Sequence, residues 1–355
     1  MVSLQPSADE IEVSLFGPGY GEAIAMHVGD GQWMLVDSCW LDRSHGIAAT
    51  AKYLEGLGVA DDQVRNVVAS HWHDDHVGGI ASLVRRYRQA EFHFPSFLSE
   101  RQGSEFLSAY SGQANPDADG TTELYNAMLE VRESGRRFSP LHFRTIVSEQ
   151  RFSFGSMRAV AMSPSGSAWA AAMASVQSRV IPHTVPKKAP QPATNLSSVV
   201  VHVDYGFETV LLGSDLETHE NLGWKEIVNH PWTRQRNKAS LYKVAHHGSP
   251  TACMPEIWGT LVAPEAECAL TPFVNGRVRL PGSDDVKRIK GYTPFLRSTA
   301  PVGRQEPKGT NAERQLVSFL KSATGRGTRM GHLRYRKRMG QTSWICEMDG
   351  AAIVL

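Results

Sequence analysis

The residues with most capacity for chemistry are histidines, and the chain has 14 of them. They are unevenly placed. Ser70-His71-Trp72-His73-Asp74-Asp75-His76-Val77-Gly78-Gly79 sets three histidines and two carboxylates within six positions. Imidazole and carboxylate together suit divalent zinc, manganese or iron, and the lack of cysteine in the motif argues against a purely structural zinc. Asn66–Ser70 is a short apolar run that reads as a strand. His71 and His73, two positions apart where that strand ends, project from the same side and can share one metal. Asp75 and His76 open the next turn, point elsewhere and suit a second metal. Gly78 and Gly79 permit close backbone approach as the following helix begins. A chance cluster in a polar turn is the plain alternative, and the strand-to-helix position speaks against it.

Other chemistry-bearing groups also follow apolar runs. Leu35-Val36-Asp37-Ser38 and Leu211-Leu212-Gly213-Ser214-Asp215 each end a strand pattern in an aspartate, and His246-His247-Gly248-Ser249 follows Leu241–Ala245. Alone, Asp215 would serve as well as the N-cap of a helix from 216 onward. His27, His93, His142 and His202 fall in expected strands, and His45, His219, His230 and His332 near expected helices or turns. These eight read as structural or surface residues. No GxSxG, Walker loop or Cys-His arrangement suggests another mechanism.

In their order along the chain, His71-x-His73-x-Asp75-His76, Asp37, Asp215 and His246-His247-Gly248-Ser249 resemble the landmarks of the metallo-β-lactamase fold hydrolases. Asn195-Leu196-Ser197-Ser198-Val199-Val200, Asp204-Tyr205-Gly206 and Lys243-Val244-Ala245-His246-His247-Gly248-Ser249 are further similar to the hydrolase domain of the competence DNA-uptake protein ComEC and its soluble relatives. Some such relatives lie beside phage-defence genes. The resemblance implies an α/β protein with a four-layer αββα sandwich and two divalent metal ions, zinc or manganese. It implies His71, His73, Asp75, His76, Asp215 and His247 as ligands, with Asp215 bridging and Asp37 orienting a ligand. His247 is preferred over His246 because glycine follows it. His246 is then left to contact substrate or act as an acid.

One position departs from the family pattern. Where many members carry a third histidine for the first metal, this chain has Asn195, a poorer ligand; His183 in a proline-rich loop is a candidate substitute. Asp75, Asn195 and His246 are the candidate catalytic residues. Asp75 would steer a metal-activated hydroxide, and Asn195, Ser249 and a paired histidine would hydrogen-bond the charge developing on substrate oxygens.

The elements that must position these groups can be read from periodicity. Alternation over 11–16, 23–28 and 33–36 predicts a β-meander ending at Asp37. Helices are expected over 46–58, 77–88, 121–134 and 253–262. Paired strands are expected around Gly155, a hairpin around Asp204-Tyr205-Gly206, and strands at 241–245 and 267–273. Residues 102–120, rich in Ser, Gly, Asn and Asp, read as a loop or lid, and 182–193, with four prolines, Lys187 and Lys188, as an exposed loop. Strands followed by helices, twice, suggest two β-rich halves covered by helices. Residues 1–290 form the expected hydrolase domain, and 291–355 a C-terminal extension packed on it.

Composition narrows the function classes. The 355 residues are 41% hydrophobic and 21% charged, which excludes a disordered, collagenous or coiled-coil chain. Cys39, Cys253, Cys268 and Cys346 are scattered and suggest no disulfide framework. No apolar run suits a membrane span and no leader pattern opens the chain, so a cytoplasmic protein is expected, and β-lactam hydrolysis, an activity of exported proteins, is not.

The net charge of +1 leaves nucleic-acid contact to a local patch. Such a patch is offered by 326–338. Arg326 and Arg329 lead into His332, Arg334, Arg336 and Arg338, which alternate and would share one face of a strand beside Lys337. A charged edge strand guarding against aggregation fits the same pattern. The first expectation is a two-metal phosphodiesterase or nuclease with nucleic acid, DNA favoured, as partner. The alternatives are a small-molecule hydrolase of cyclic nucleotides, phosphocholine esters or lactones, and a metal-binding interaction subunit of a multi-protein system.

Overall fold

A computed structural model describes residues 4–18, 20–111, 120–152, 155–177, 195–276, 278–302 and 330–355. The first sheet opens with an antiparallel meander, β1 (Glu10–Gly17), β2 (Ala23–Gly29) and β3 (Gln32–Val36), and continues in parallel through β4 (Val64–Val68), β5 (Glu91–Pro95) and β6 (Phe138–Leu141). The second sheet repeats this plan. β7 (Ile146–Phe152), β8 (Gly155–Ala161), β9 (Val201–Asp204) and β10 (Thr209–Leu212) are antiparallel, and β11 (Ala239–Lys243), β12 (Val262–Leu270) and β13 (Leu296–Ser298) run parallel to β10.

Three cores fill the spaces between four layers. Ile24, Met26, Met34 and Val36 of the first sheet face Val201, Val203, Val210 and Leu212 of the second. The opposite face of the first sheet, through Ala23, Ala25 and Leu35, packs beneath α1 (Ala49–Leu57), α3 (Ile80–Arg86), α4 (Arg101–Tyr110), α5 (Gly120–Glu133) and α6 (Gly166–Gln177). A one-turn α2 (Asp74–Val77) precedes α3. The outer face of the second sheet is covered by α7 (Trp224–Asn229), α8 (Pro255–Thr260) and α9 (Ser283–Lys290). The strands are therefore buried on both faces, and the αββα sandwich expected from the sequence is the architecture found.

Several boundaries and elements differ from expectation. The helix expected from 77 starts at Ile80, because Gly79 takes φ +85 and the Trp40 indole lies against Gly78 and Gly79, where a Cβ would crowd it. Residues 102–110 are helical rather than loop. Phe106, Leu107 and Tyr110 give α4 a buried apolar stripe that outweighs its polar composition. Only 112–119 of that expected loop lie outside the described residues, as do 182–193 with His183, Lys187 and Lys188, and Arg326 and Arg329. Helices α6, α7 and α9, and a small hairpin of Phe273–Asn275 with Val278–Leu280, were not anticipated. No helix starts at 216, so Asp215 caps nothing; a two-residue bridge, Thr218–His219 with Leu222–Gly223, follows it.

The C-terminal segment is not an appendage. β13 extends the second sheet; β14 (Gly331–Arg338) pairs with β1 in the first, β15 (Ile345–Asp349) pairs with β14, and β16 (Ile353–Val354) returns to β13. β14 is thus an interior strand rather than an edge, and His332 lies on it, stacked on Phe16 with ring centroids 4.4 Å apart.

The basic stripe also lies on this interior strand. Arg334, Arg336 and Arg338 do share one face, but each meets acidic or polar groups. Arg336 Nε donates to Glu12 Oε2 at 2.8 Å, Arg334 pairs with Glu347, and Arg338 lies 3.7 Å from Asp9. Lys337 points the other way and pairs with Glu208. The alternating charge is largely matched within the sheet.

Candidate metal centre

The singled-out residues converge at the carboxyl ends of two pairs of neighbouring parallel strands, one pair per sheet. Asp37 follows β3 and the His71 motif follows β4; Asp215 follows β10 and His246-His247 follows β11. Strand ends are where open α/β sheets place their ligand sites. The turns are tight. Asp37, Ser214, His246 and His247 take φ of 58°, 45°, 47° and 51°, four of the six non-glycine residues with positive φ among those described. Left-handed backbone at such residues is costly and gathers where side chains must be aimed.

Two groups of donors share Asp215. Asp75, His76, Asp215 and His247 bring their ligand atoms within 4.8 Å of one another, and so do His71, His73 and Asp215. The hydrogen bonds on the far side of three rings set their orientation. His76 Nδ1 donates to Asp37 Oδ2 at 2.6 Å. Ser70 Oγ donates to the same Asp37 oxygen at 2.8 Å and accepts from His71 Nδ1 at 2.9 Å. His247 Nδ1 donates to the Thr271 carbonyl at 2.9 Å. Each ring is left with Nε2 turned inward, the arrangement that orients histidine toward a metal.

These atoms fit divalent cations. Nε2 of His71, His73 and His76 and Oδ1 of Asp215 are buried with no hydrogen-bond partner, although buried polar atoms are rarely left so. His76 Nε2 and Asp215 Oδ1 lie 3.2 Å apart, and with the His76 proton on Nδ1 they present lone pairs to each other. A cation relieves that repulsion. Burial works to lower His76, but Asp215, Asp75 and Asp37 outweigh it and hold it well above its ordinary value. Burial works to raise Asp215, yet His76 and His247 hold it well below the usual carboxylate range. His71 has no such carboxylate excess, and burial with the neighbouring His76 and His73 pushes it well down, leaving a neutral ligand.

A further buried network ties the two halves of the site together. Glu22 precedes β2 and Lys243 ends β11; both are buried, and Lys243 Nζ lies 2.7 Å from Glu22 Oε2. Lys243 also donates to the Ser214 carbonyl at 3.2 Å, beside Asp215. Thr271 Oγ1 donates to Glu22, while the Thr271 carbonyl holds His247. The Glu22 amide donates to the Asp75 carbonyl at 2.8 Å.

His246 stands outside both donor groups. Its Nδ1 faces Glu217 Oε1 at 3.1 Å and Thr251 Oγ1 at 3.2 Å, and its Nε2 accepts from Asn195 Nδ2 at 3.2 Å. Asn195 lies on a short turn, Asn195–Ser197, and its Oδ1 has no partner. Asn195, His246, His247, His73, Asp74, Asp75 and Asp215 line one side of a cavity of about 300 Å³, whose other side is Tyr20 and the Phe273–Leu280 hairpin. Ser249 does not line it, because its hydroxyl is turned to Thr251, 2.9 Å away.

Residues 17–161 match the model of the metallo-beta-lactamase superfamily. That span holds Asp37 and the His71–His76 motif; Asp215, His246 and His247 lie beyond it. The four layers described above match a metallo-beta-lactamase fold. No curated protein matches the chain. Among solved structures, the metallo-beta-lactamase fold protein YhfI from Bacillus subtilis is similar at 12% identity, covering 83% of this chain and 98% of that one, with a TM-score of 0.42. A beta-lactamase domain protein from Burkholderia ambifaria is similar at 16% identity, over 75% and 64%, with a TM-score of 0.30.

Ser70, Glu22, Lys243, Thr271, Glu217, Tyr20 and the hairpin of Phe273–Asn275 with Val278–Leu280 escaped sequence reading. Two signals pointed to part of the set. Lys243 is a charge closing an otherwise apolar strand, and Asn275-Gly276 between β-forming residues marks the hairpin turn. Glu217 and Tyr20 carry no local signal.

Proposed function

We propose that this protein is a metal-dependent hydrolase of phosphodiesters, with nucleic acid, DNA foremost, as the polymer it meets. The observation that carries the reading is the pair of donor groups joined through Asp215, with inward Nε2 atoms left unpartnered. His71, His73 and Asp215 would hold one ion, and Asp75, His76, Asp215 and His247 a second. A bound pair of divalent ions lowers the pKa of water and offsets charge on the substrate's oxygens, which suits in-line displacement at phosphorus. The chain supplies the rest. Asp75 and Asp215 crowd negative charge where the cations sit and orient the attacking water. Asn195, through its amide, and His246, aimed by Glu217, face the cavity and hydrogen-bond the substrate's oxygens or pass a proton to the departing one. The finer resemblance to the ComEC hydrolase domain favours phosphodiester over carbonyl substrates.

A second reading, hydrolysis of a small phosphoester, draws on the modest cavity, which holds a group of about nucleotide size. The protein loaded with Mn²⁺ or Zn²⁺ is to be incubated with plasmid, single-stranded DNA, RNA, cyclic nucleotides and bis(p-nitrophenyl) phosphate. Cleavage of polymer is expected, falling about a hundredfold in His73→Ala and Asp215→Asn together with their metal content. Turnover of small esters alone selects the second reading. Stoichiometric metal with no turnover of any substrate overturns both.

A further inference from the structure

The cavity has two unlike walls. One is the polar donor cluster. The other is mainly apolar: Tyr20, Phe273, Val278 and Leu280, with Asn275 among them. Tyr20 stays 39% exposed although its ring reaches Phe273, with centroids 5.4 Å apart and planes tilted by 43°. Phe273 in turn lies against His247, 5.3 Å between centroids and 30° between planes, so the aromatic wall begins directly beside the donor cluster. Val278 on the same hairpin is 55% exposed. Neither Tyr20 nor Val278 is needed for the core, and exposed apolar side chains that converge on a polar site are surface for a ligand.

We infer that Tyr20 and the Phe273 hairpin form a subsite for a planar aromatic group carried next to the reacting phosphate, a nucleobase or an aryl ester. This rests on the phosphoester reading above. Two observations support it: the walls meet at His247, and the apolar side holds two aromatic rings. A ring has a face to stack whatever its identity, so the subsite favours aromatic substituents without selecting among bases.

The test is calorimetric binding to the Mn²⁺-loaded protein of inorganic phosphate, ribose 5-phosphate, AMP and phenyl phosphate. AMP or phenyl phosphate is expected to bind about tenfold tighter than the two probes lacking a ring. That preference should shrink to about twofold or less in Tyr20→Ala and survive in Tyr20→Phe, which keeps the ring. Gain from phenyl phosphate alone assigns the subsite to aryl esters; gain from AMP assigns it to nucleotides. Equal affinity for all four probes overturns the subsite and leaves the phosphoester reading standing. Failure of all four to bind a metal-replete protein overturns both. A preference unchanged in Tyr20→Ala and in Phe273→Ala, with both variants folded by circular dichroism, also overturns the subsite.

Discussion

At the scale of single residues, the site is uneven. The group of Asp75, His76, Asp215 and His247 offers four donors, and that of His71, His73 and Asp215 offers three. Asn195, whose Oδ1 is unpartnered, stands on the same cavity wall as His73 and contributes a neutral amide where imidazole would bind more strongly. The three-donor position should therefore release its ion first. After dialysis against a mild chelator, the wild-type protein is expected to retain close to one equivalent by elemental analysis. Asn195→His should retain close to two. Equal retention in both proteins would show that Asn195 does not limit that position.

At the scale of elements, two buried groups report how strands and loops are held. Lys243, at the end of β11, is the cation that meets buried Glu22 ahead of β2. Breaking a buried pair from one side leaves an uncompensated charge. Lys243→Met should thus lose about 3–5 kcal/mol in urea unfolding, and adding Glu22→Gln should recover most of it. A single variant as stable as the wild type would remove the pair from the framework of the site. The second group is His332 on β14. Burial, then the neighbouring Arg334, push it down from 6.5 to about 3. The folded state keeps it neutral while the unfolded chain takes up a proton near 6.5, so its contribution is full above that pH and is lost as the pH falls toward 3. Between pH 7 and 5 the wild type should lose about 2 kcal/mol more unfolding free energy than His332→Phe. Parallel losses in the two proteins would place the acid sensitivity elsewhere.

At the scale of the whole molecule, charge is organised by pairing across the sheets. A net charge of +1 from 37 basic and 36 acidic side chains leaves little surplus. On β14 the arginines serve acidic neighbours: Arg336 covers Glu12, which is fully buried and also receives Ser14 Oγ at 2.7 Å. Arg336→Ala should therefore cost roughly 2 kcal/mol of stability and leave DNA affinity and its salt dependence unchanged. A fall in salt-dependent DNA binding at constant stability would restore the strand as a nucleic-acid contact. The C-terminal strands are also part of the sandwich itself. β14 lies between β1 and β15, and its Leu333 and Tyr335 fill the core between the sheets.

Much of the donor set was legible in one dimension because His71, His73, Asp75 and His76 are neighbours along the chain. Their relative placement follows from local backbone geometry, a strand running into a turn. Asp37, Asp215 and His247 were legible as polar residues closing apolar strands. The layered fold was legible because strand and helix periodicities alternate in two blocks. What only the tertiary structure decided are the relations between distant residues. His247 meets Asp75 across 172 positions, Thr271 meets Glu22 across 249, and Arg336 meets Glu12 across 324. Those contacts choose His247 over His246 for the donor cluster, set which ring nitrogen faces inward, and turn a basic stripe into matched pairs. A side chain's charge and tautomer depend on the groups that surround it, and those groups become neighbours only when the two sheets close on one another.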